Sequence, residues 1–101
     1  MASEIRSRLW INNAWEDAAS GETFLSLNPA TGEVLADVAA GDSADVARAV
    51  EAARAAVEHP KWRRMNPHKR ARLLWKLADL IEQNADELGE LETRDNGKPL
   101  F

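Results

Sequence analysis

The side chains able to do chemistry are few, and their spacing says more about exclusion than about activity. The chain has no cysteine, so it supplies no thiol nucleophile, no thiolate zinc ligand and no disulfide framework. His59 and His68 are its only histidines. They flank a basic loop without HExxH spacing or a neighbouring carboxylate pattern, and so read as surface residues rather than zinc ligands or general bases. The glycines Gly21, Gly32, Gly41, Gly89 and Gly97 are scattered, which leaves neither a GxGxxG turn nor a Walker loop. Lys61, Arg63, Arg64, His68, Lys69, Arg70, Arg72 and Lys76, with Trp62 and Trp75 among them, combine phosphate-binding charge with rings that could stack on bases. On a helix, however, Lys69, Arg72 and Lys76 share a face with Asp79 and Glu82, which would pair with them and repel phosphate; a solvated face is the better reading. Asp95, followed by Asn96-Gly97-Lys98-Pro99, is a carboxylate where a helix ends and the chain turns, a place where aspartate commonly accepts backbone N–H bonds.

The elements that must position these groups change character near residue 41. Leu9-Trp10-Ile11, the turn-prone pair Asn12-Asn13 and Ala14-Trp15 have the spacing of a tight hairpin. Thr23–Leu27 and the stretch from Glu33 to Val38 read as a second antiparallel pair around Asn28-Pro29-Ala30-Thr31-Gly32, which has proline and glycine where a turn needs them. Gly41-Asp42-Ser43 then opens a helix in which Asp42 or Ser43 can cap, with a narrow apolar stripe of Val46, Ala49, Val50, Ala53 and Val57. Pro60 ends it. Asn66-Pro67 starts a second helix with Leu73, Leu74, Leu77, Leu80 and Ile81 as its buried face. Asn84, with Glu87 three residues on, predicts a capping box for a third helix that presents Leu88 and Leu91 and ends near Asn96-Gly97. The predicted helices cover 43–58, 67–83 and 85–95, and the fold class is α+β.

A length of 101 residues is the size of one domain, yet much of the 45% apolar share is alanine, which buries little area per residue. Four tryptophans in so short a chain ask for partners on several sides. The segment is therefore expected to be weak on its own. The net charge of −4 is uneven, with 4 basic and 10 acidic side chains in residues 1–60 against 9 and 7 in 61–101. Residues 1–7 read as a flexible tail without the apolar core of a signal peptide, and no run reaches membrane-spanning length. The expectation is a soluble, cytoplasmic protein that engages no membrane.

Six motifs occur in a telling order: Trp10-Ile11-Asn12-Asn13-Ala14-Trp15; Asn28 to Val34; the alanine-rich stretch after Gly41-Asp42; Trp62-Arg63-Arg64-Met65; Leu77 to Glu82; and Glu92 to Pro99. From Leu9 to Pro99 the sequence resembles the N-terminal segment of aldehyde dehydrogenases. The resemblance implies that residues 1–101 are an incomplete part of the α/β NAD(P)-binding domain of a longer enzyme. That enzyme would oxidise an aldehyde to a carboxylic acid with NAD⁺ or NADP⁺, through a cysteine thiolate, an oxyanion site and a glutamate-activated water. All those groups would lie downstream, so the 101 residues alone would be inactive and hold no cofactor-binding residue. Its partners would be the aldehyde substrate, the remainder of the same polypeptide and, when complete, further copies in a homo-oligomer, with no nucleic acid. The resemblance also implies a monovalent cation, potassium or sodium, held by the main-chain carbonyls of Ser26 and Leu27 and by the Asp95 carboxylate. The rival reading is a small stand-alone interaction module that binds an acidic partner or nucleic acid.

Overall fold

Two asparagines in the left-handed region, Asn12 (φ 50°) and Asn13 (φ 64°), close the first hairpin. A two-residue turn with positive φ at both positions matches the right-handed twist of its strands, and asparagine tolerates that region. The computed structural model describes residues 5–100. Its hairpin joins β1 (Leu9–Ile11) to β2 (Ala14–Glu16), with Trp10 opposite Trp15. Their rings meet edge to face at 4.8 Å between centroids. The second pair is β3 (Thr23–Leu27) against β4 (Val34–Ala39), also antiparallel. The four helices that follow are α1 (Ser43–Glu58), α2 (Pro60–Arg63), α3 (Pro67–Gln83) and α4 (Ala85–Asn96). This is the expected α+β order, strands first and helices after.

Two local expectations are corrected. The first is the number of helices. His59 is extended (ψ 133°), as a residue before proline must be, but Pro60 also occupies the first position of the one-turn α2, where its missing N–H costs nothing. The His59 Nδ1 caps that turn by accepting the Lys61 N–H at 3.1 Å.

The second is the capping box. It does not form at Asn84, which ends α3 and begins α4 with φ −110° and ψ 17°. There the Asn84 side-chain amide donates back to the Leu80 carbonyl at 2.7 Å and cannot cap the next helix. A capping box forms instead at the start of α1. The Asp42 carboxylate accepts the Ala44 and Asp45 N–H groups, and the Asp45 carboxylate accepts the Asp42 N–H.

The side of α1 that meets the hairpin carries Arg48 and Ala52, and Val46, Val50 and Val57 of the apolar stripe are exposed.

Residues 1–4 of the expected tail lie outside the described residues. Within 5–7, the Ser7 carbonyl accepts the Ala39 N–H at 2.8 Å, and the Arg6 guanidinium lies 5.9 Å from the Trp15 ring centroid.

Very little is buried. Among the described residues Ala18, at 5% exposure, is the one buried hydrophobic residue, and the stripe of α3 from Leu73 to Ile81 is between 44 and 65% exposed. The radius of gyration is 17.0 Å. A compact chain of about 100 residues has roughly 13 Å. The apolar helix faces are thus uncovered rather than folded onto one another. Apolar faces of this extent drive self-association. The purified 101-residue chain is expected to aggregate or to be partly molten, as read by sedimentation and near-UV circular dichroism. A monomer with a sharp two-state thermal transition would contradict this.

Candidate functional site

The end of strand β3 and the end of helix α4, 69 residues apart in sequence, meet at a hydrogen bond. The Ser26 hydroxyl donates to Asp95 Oδ1 at 2.6 Å. A short contact from a hydroxyl to a carboxylate belongs to the stronger class of hydrogen bonds. The strand is irregular at this point. Ser26 pairs with Ala36 but Leu27 with Val34, so β4 carries Leu35 as an extra residue and the ladder is disrupted between Ser26 and Leu27.

Beyond Leu27 the turn is held by its own groups. The Asn28 carbonyl accepts the Gly32 N–H (2.7 Å), the Asn28 N–H donates to Glu33, and the Asn28 side chain accepts the Ala30 N–H. A second contact stands beside the first. Gly97 closes α4 in the left-handed region (φ 81°), and a Cβ built there would come within 3.1 Å of Pro29 Cγ. The turn after β3 therefore packs directly on the C-cap of α4. Asp95 lies in the last turn of α4, where helix carbonyls lack intrahelical partners. An apolar groove of about 290 Å³ runs beside it, lined by Ser26, Leu35, Ala36, Leu88, Leu91 and Asp95.

The structure thus brings together Ser26 and Asp95, with Leu27 next to Ser26 at the disrupted ladder. The part played by the Ser26 side chain was missed, because the resemblance assigns that residue through its carbonyl alone. No local pattern pairs a strand serine with an aspartate 69 residues on.

A second polar cluster was missed for the same reason. Asp45, only 3% exposed, accepts the Asp42 N–H (3.0 Å), the Ala19 N–H (2.9 Å) and Arg48 Nη2 (2.6 Å). Arg48 Nη1 reaches Glu16 Oε2 at 2.6 Å and so ties β2 to α1. The backbone N–H of Asp42, then that of Ala19, then the Arg48 guanidinium hold the Asp45 carboxyl well below the usual carboxylate range. The hydrogen bond to Asp45 raises the Arg48 pKa in turn. A depressed carboxylate contributes stability that is fully present above its unfolded pKa of about 4 and is lost as pH falls through its lower folded value. The cluster has no reactive group, and Arg48 Nε is its one buried nitrogen without a partner among the described residues, so it is a structural joint.

The basic and aromatic cluster is partly spent on itself. The Arg70 guanidinium lies 4.7 Å from the Trp62 ring centroid and donates to the Trp62 carbonyl at 3.0 Å. Those two side chains lock α2 against α3. Among the described residues no group of three or more His, Cys, Asp or Glu is gathered as for a metal ion, and no helix is long and apolar enough to cross a membrane.

Comparison with known proteins fits the chain to one family. Residues 15–101 match the model of the aldehyde dehydrogenase family. The chain belongs to the aldehyde dehydrogenase family. It is 56% identical over 94 residues to a mitochondrial aldehyde dehydrogenase of Equus caballus, covering 92% of this chain and 19% of that protein. It is 50% identical over 93 residues to a putative aldehyde dehydrogenase of Bacillus subtilis, again covering 92% of this chain and 19% of the relative. Among solved structures, an indole-3-acetaldehyde dehydrogenase of P. syringae in complex with NAD⁺ and IAA superposes with a TM-score of 0.94 at 46% identity. That match covers 98% of this chain and 20% of the other. The aldehyde dehydrogenase KauB of Pseudomonas aeruginosa superposes with a TM-score of 0.93 at 45% identity, covering 97% and 20%. The chain spans about a fifth of the length of the aldehyde dehydrogenases it matches.

The seam makes one substitution decisive. Gly97→Ala would force an L side chain into the left-handed region and press its Cβ on Pro29. A loss of about 1–2 kcal/mol is expected from the backbone conformation alone. Equal denaturation midpoints for the two proteins would show that this joint bears no load.

Proposed function

We propose that the full-length protein is an NAD⁺- or NADP⁺-dependent aldehyde dehydrogenase that oxidises an aldehyde to a carboxylic acid. Its thiol nucleophile and glutamate base would stand on residues beyond this chain. The observation that carries the reading is the superposition, at a TM-score of 0.94, on a dehydrogenase whose structure holds NAD⁺. The absence of cysteine among the 101 residues agrees with a nucleophile placed elsewhere in the polypeptide. The nicotinamide cofactor, when bound, accepts hydride from the aldehyde carbon. No residue of this chain is assigned to that cofactor or to the reacting atoms, and the chain by itself would be inactive. Its role would be to dock against the rest of the polypeptide through the uncovered faces of α3 and α4. Assembly as a homo-oligomer and a cytoplasmic location complete the proposal; the cysteine-free composition is in keeping with a reducing compartment.

The chain's own contribution to chemistry would be a monovalent cation site at Ser26, Leu27 and Asp95. The residues fit such an ion. One carboxylate and neutral oxygens suit a hard cation of low charge, and Asp95 already has one oxygen engaged by the Ser26 hydroxyl. Carbonyls of Ser26 and Leu27, at the disrupted ladder, would supply the neutral oxygens. The ion would tie β3 to α4 and so steady the edge of the cofactor-binding domain without touching the substrate.

Aldehyde-dependent reduction of NAD⁺ or NADP⁺ by the full-length protein tests the reaction; no turnover with aliphatic, aromatic or betaine-type aldehydes would reject it. In the same assay Asp95→Ala is expected to lower stability or change the potassium and sodium dependence, while thiol alkylation proceeds as in the wild type. Identical activity and melting temperature in potassium, sodium and a large inert cation would return Asp95 to a plain turn-stabilising role.

A further inference from the structure

We propose that the Ser26 hydroxyl is the positioning group of the cation site, setting the ion's affinity through the orientation of the Asp95 carboxylate. The inference rests on the cation reading given above and assigns to a side chain what that reading leaves to the backbone. Three observations carry it.

The hydroxyl donates to Asp95 Oδ1 at 2.6 Å, across a junction between strand and helix that the chain closes only after 69 residues. The Asp95 carboxylate makes no other hydrogen bond or ion pair among the described residues, so this contact is the polar restraint on its rotamer. The flanking backbone is held independently. Gly97 seats so near Pro29 that a Cβ built on it would come within 3.1 Å of Pro29 Cγ, and the 28–33 turn closes on its own hydrogen bonds. Removal of the hydroxyl would therefore leave the carbonyls of Ser26 and Leu27 in place and free only the carboxylate.

A carboxylate held by a neutral donor also keeps its full charge, with one oxygen satisfied and the other left for an ion. Replacement of Ser26 by a residue without a donor would let the carboxylate rotate among solvent-facing rotamers, and ion binding would then have to restrict it. The ion's affinity should fall by about tenfold, the scale of losing one hydrogen bond to a charged group. The melting temperature without added cation should change little, because the backbone seam remains.

The test is a potassium titration of the melting temperature of the full-length protein, with a large inert cation keeping the ionic strength constant. The expected result is a midpoint raised about tenfold in Ser26→Ala, near the wild-type value in Ser26→Thr, and between the two in Ser26→Cys, whose thiol is a weak donor. A wild-type midpoint in Ser26→Ala or Ser26→Cys would overturn the proposal. So would an equal rise in Ser26→Ala and Ser26→Thr, since packing and not the hydroxyl would then be the cause. Asp95→Asn separates this inference from the reading beneath it. If potassium still raises the melting temperature of Asp95→Asn as it does that of the wild type, the cation site itself is absent and both fall. If Asp95→Asn loses the response while Ser26→Ala keeps the wild-type midpoint, the site stands and only the positioning role falls.

Discussion

A buried carboxylate with every oxygen engaged holds the N-terminal hairpin to the first helix of this chain. Asp45 takes N–H groups from the helix start at Asp42 and from the loop at Ala19, and pairs with Arg48, which also grips Glu16 on the hairpin. An unpaired carboxylate at 3% exposure would be costly, so these bonds act as a set rather than singly. The set decides how the hairpin lies on α1. That is why the hairpin sits on the polar side of the helix and the valine stripe is left free. With so little apolar area covered, a polar joint does what a hydrophobic core does in a self-sufficient domain.

The seam between β3 and α4 is built on the same principle at longer range. A serine hydroxyl on an aspartate and a proline on a left-handed glycine are two contacts of different chemistry. Each fixes one end of a junction that the apolar groove beside it leaves unfilled. Taken with the uncovered stripes of α3 and α4, the segment has the form of a preorganised edge. Its internal joints are polar, with only the Nε atoms of Arg48 and Arg70 buried and unpartnered among the described residues, and its apolar faces are open to be covered. A chain that spans about a fifth of its relatives' length is consistent with that form.

The features legible in the sequence were those written in local punctuation. Asp42, Pro60, Asn66-Pro67, Asn84 and Gly97 mark the helix boundaries because capping and proline chemistry act within a few residues. The Asn12-Asn13 turn and the Asn28–Gly32 loop were legible for the same reason. The short α2 was not, since one turn has no periodicity and Pro60 serves equally to stop a helix and to start one. Asn84 carried the capping-box pattern, but one residue could not both close α3 and cap α4. The Ala19–Asp45 and Ser26–Asp95 bonds span 26 and 69 residues, and nothing in the spacing of residue types marks such partners. Asp95 entered the candidate site only through likeness to a family, and its serine partner only through the structure.

Amide hydrogen exchange at Ala19 and Asp42 in the full-length protein tests the polar joint most directly. Both N–H groups donate to Asp45, whose carboxyl stays ionised far below neutral pH. The account predicts strong protection of both amides, undiminished from about pH 8 to pH 5, because the unperturbed carboxylate range begins near pH 4. It also predicts a marked loss of protection at both positions together in Asp45→Ala. Exchange at solvent-like rates in the wild type, or unchanged protection in Asp45→Ala, would contradict the claim that this carboxylate joins the hairpin to the helix.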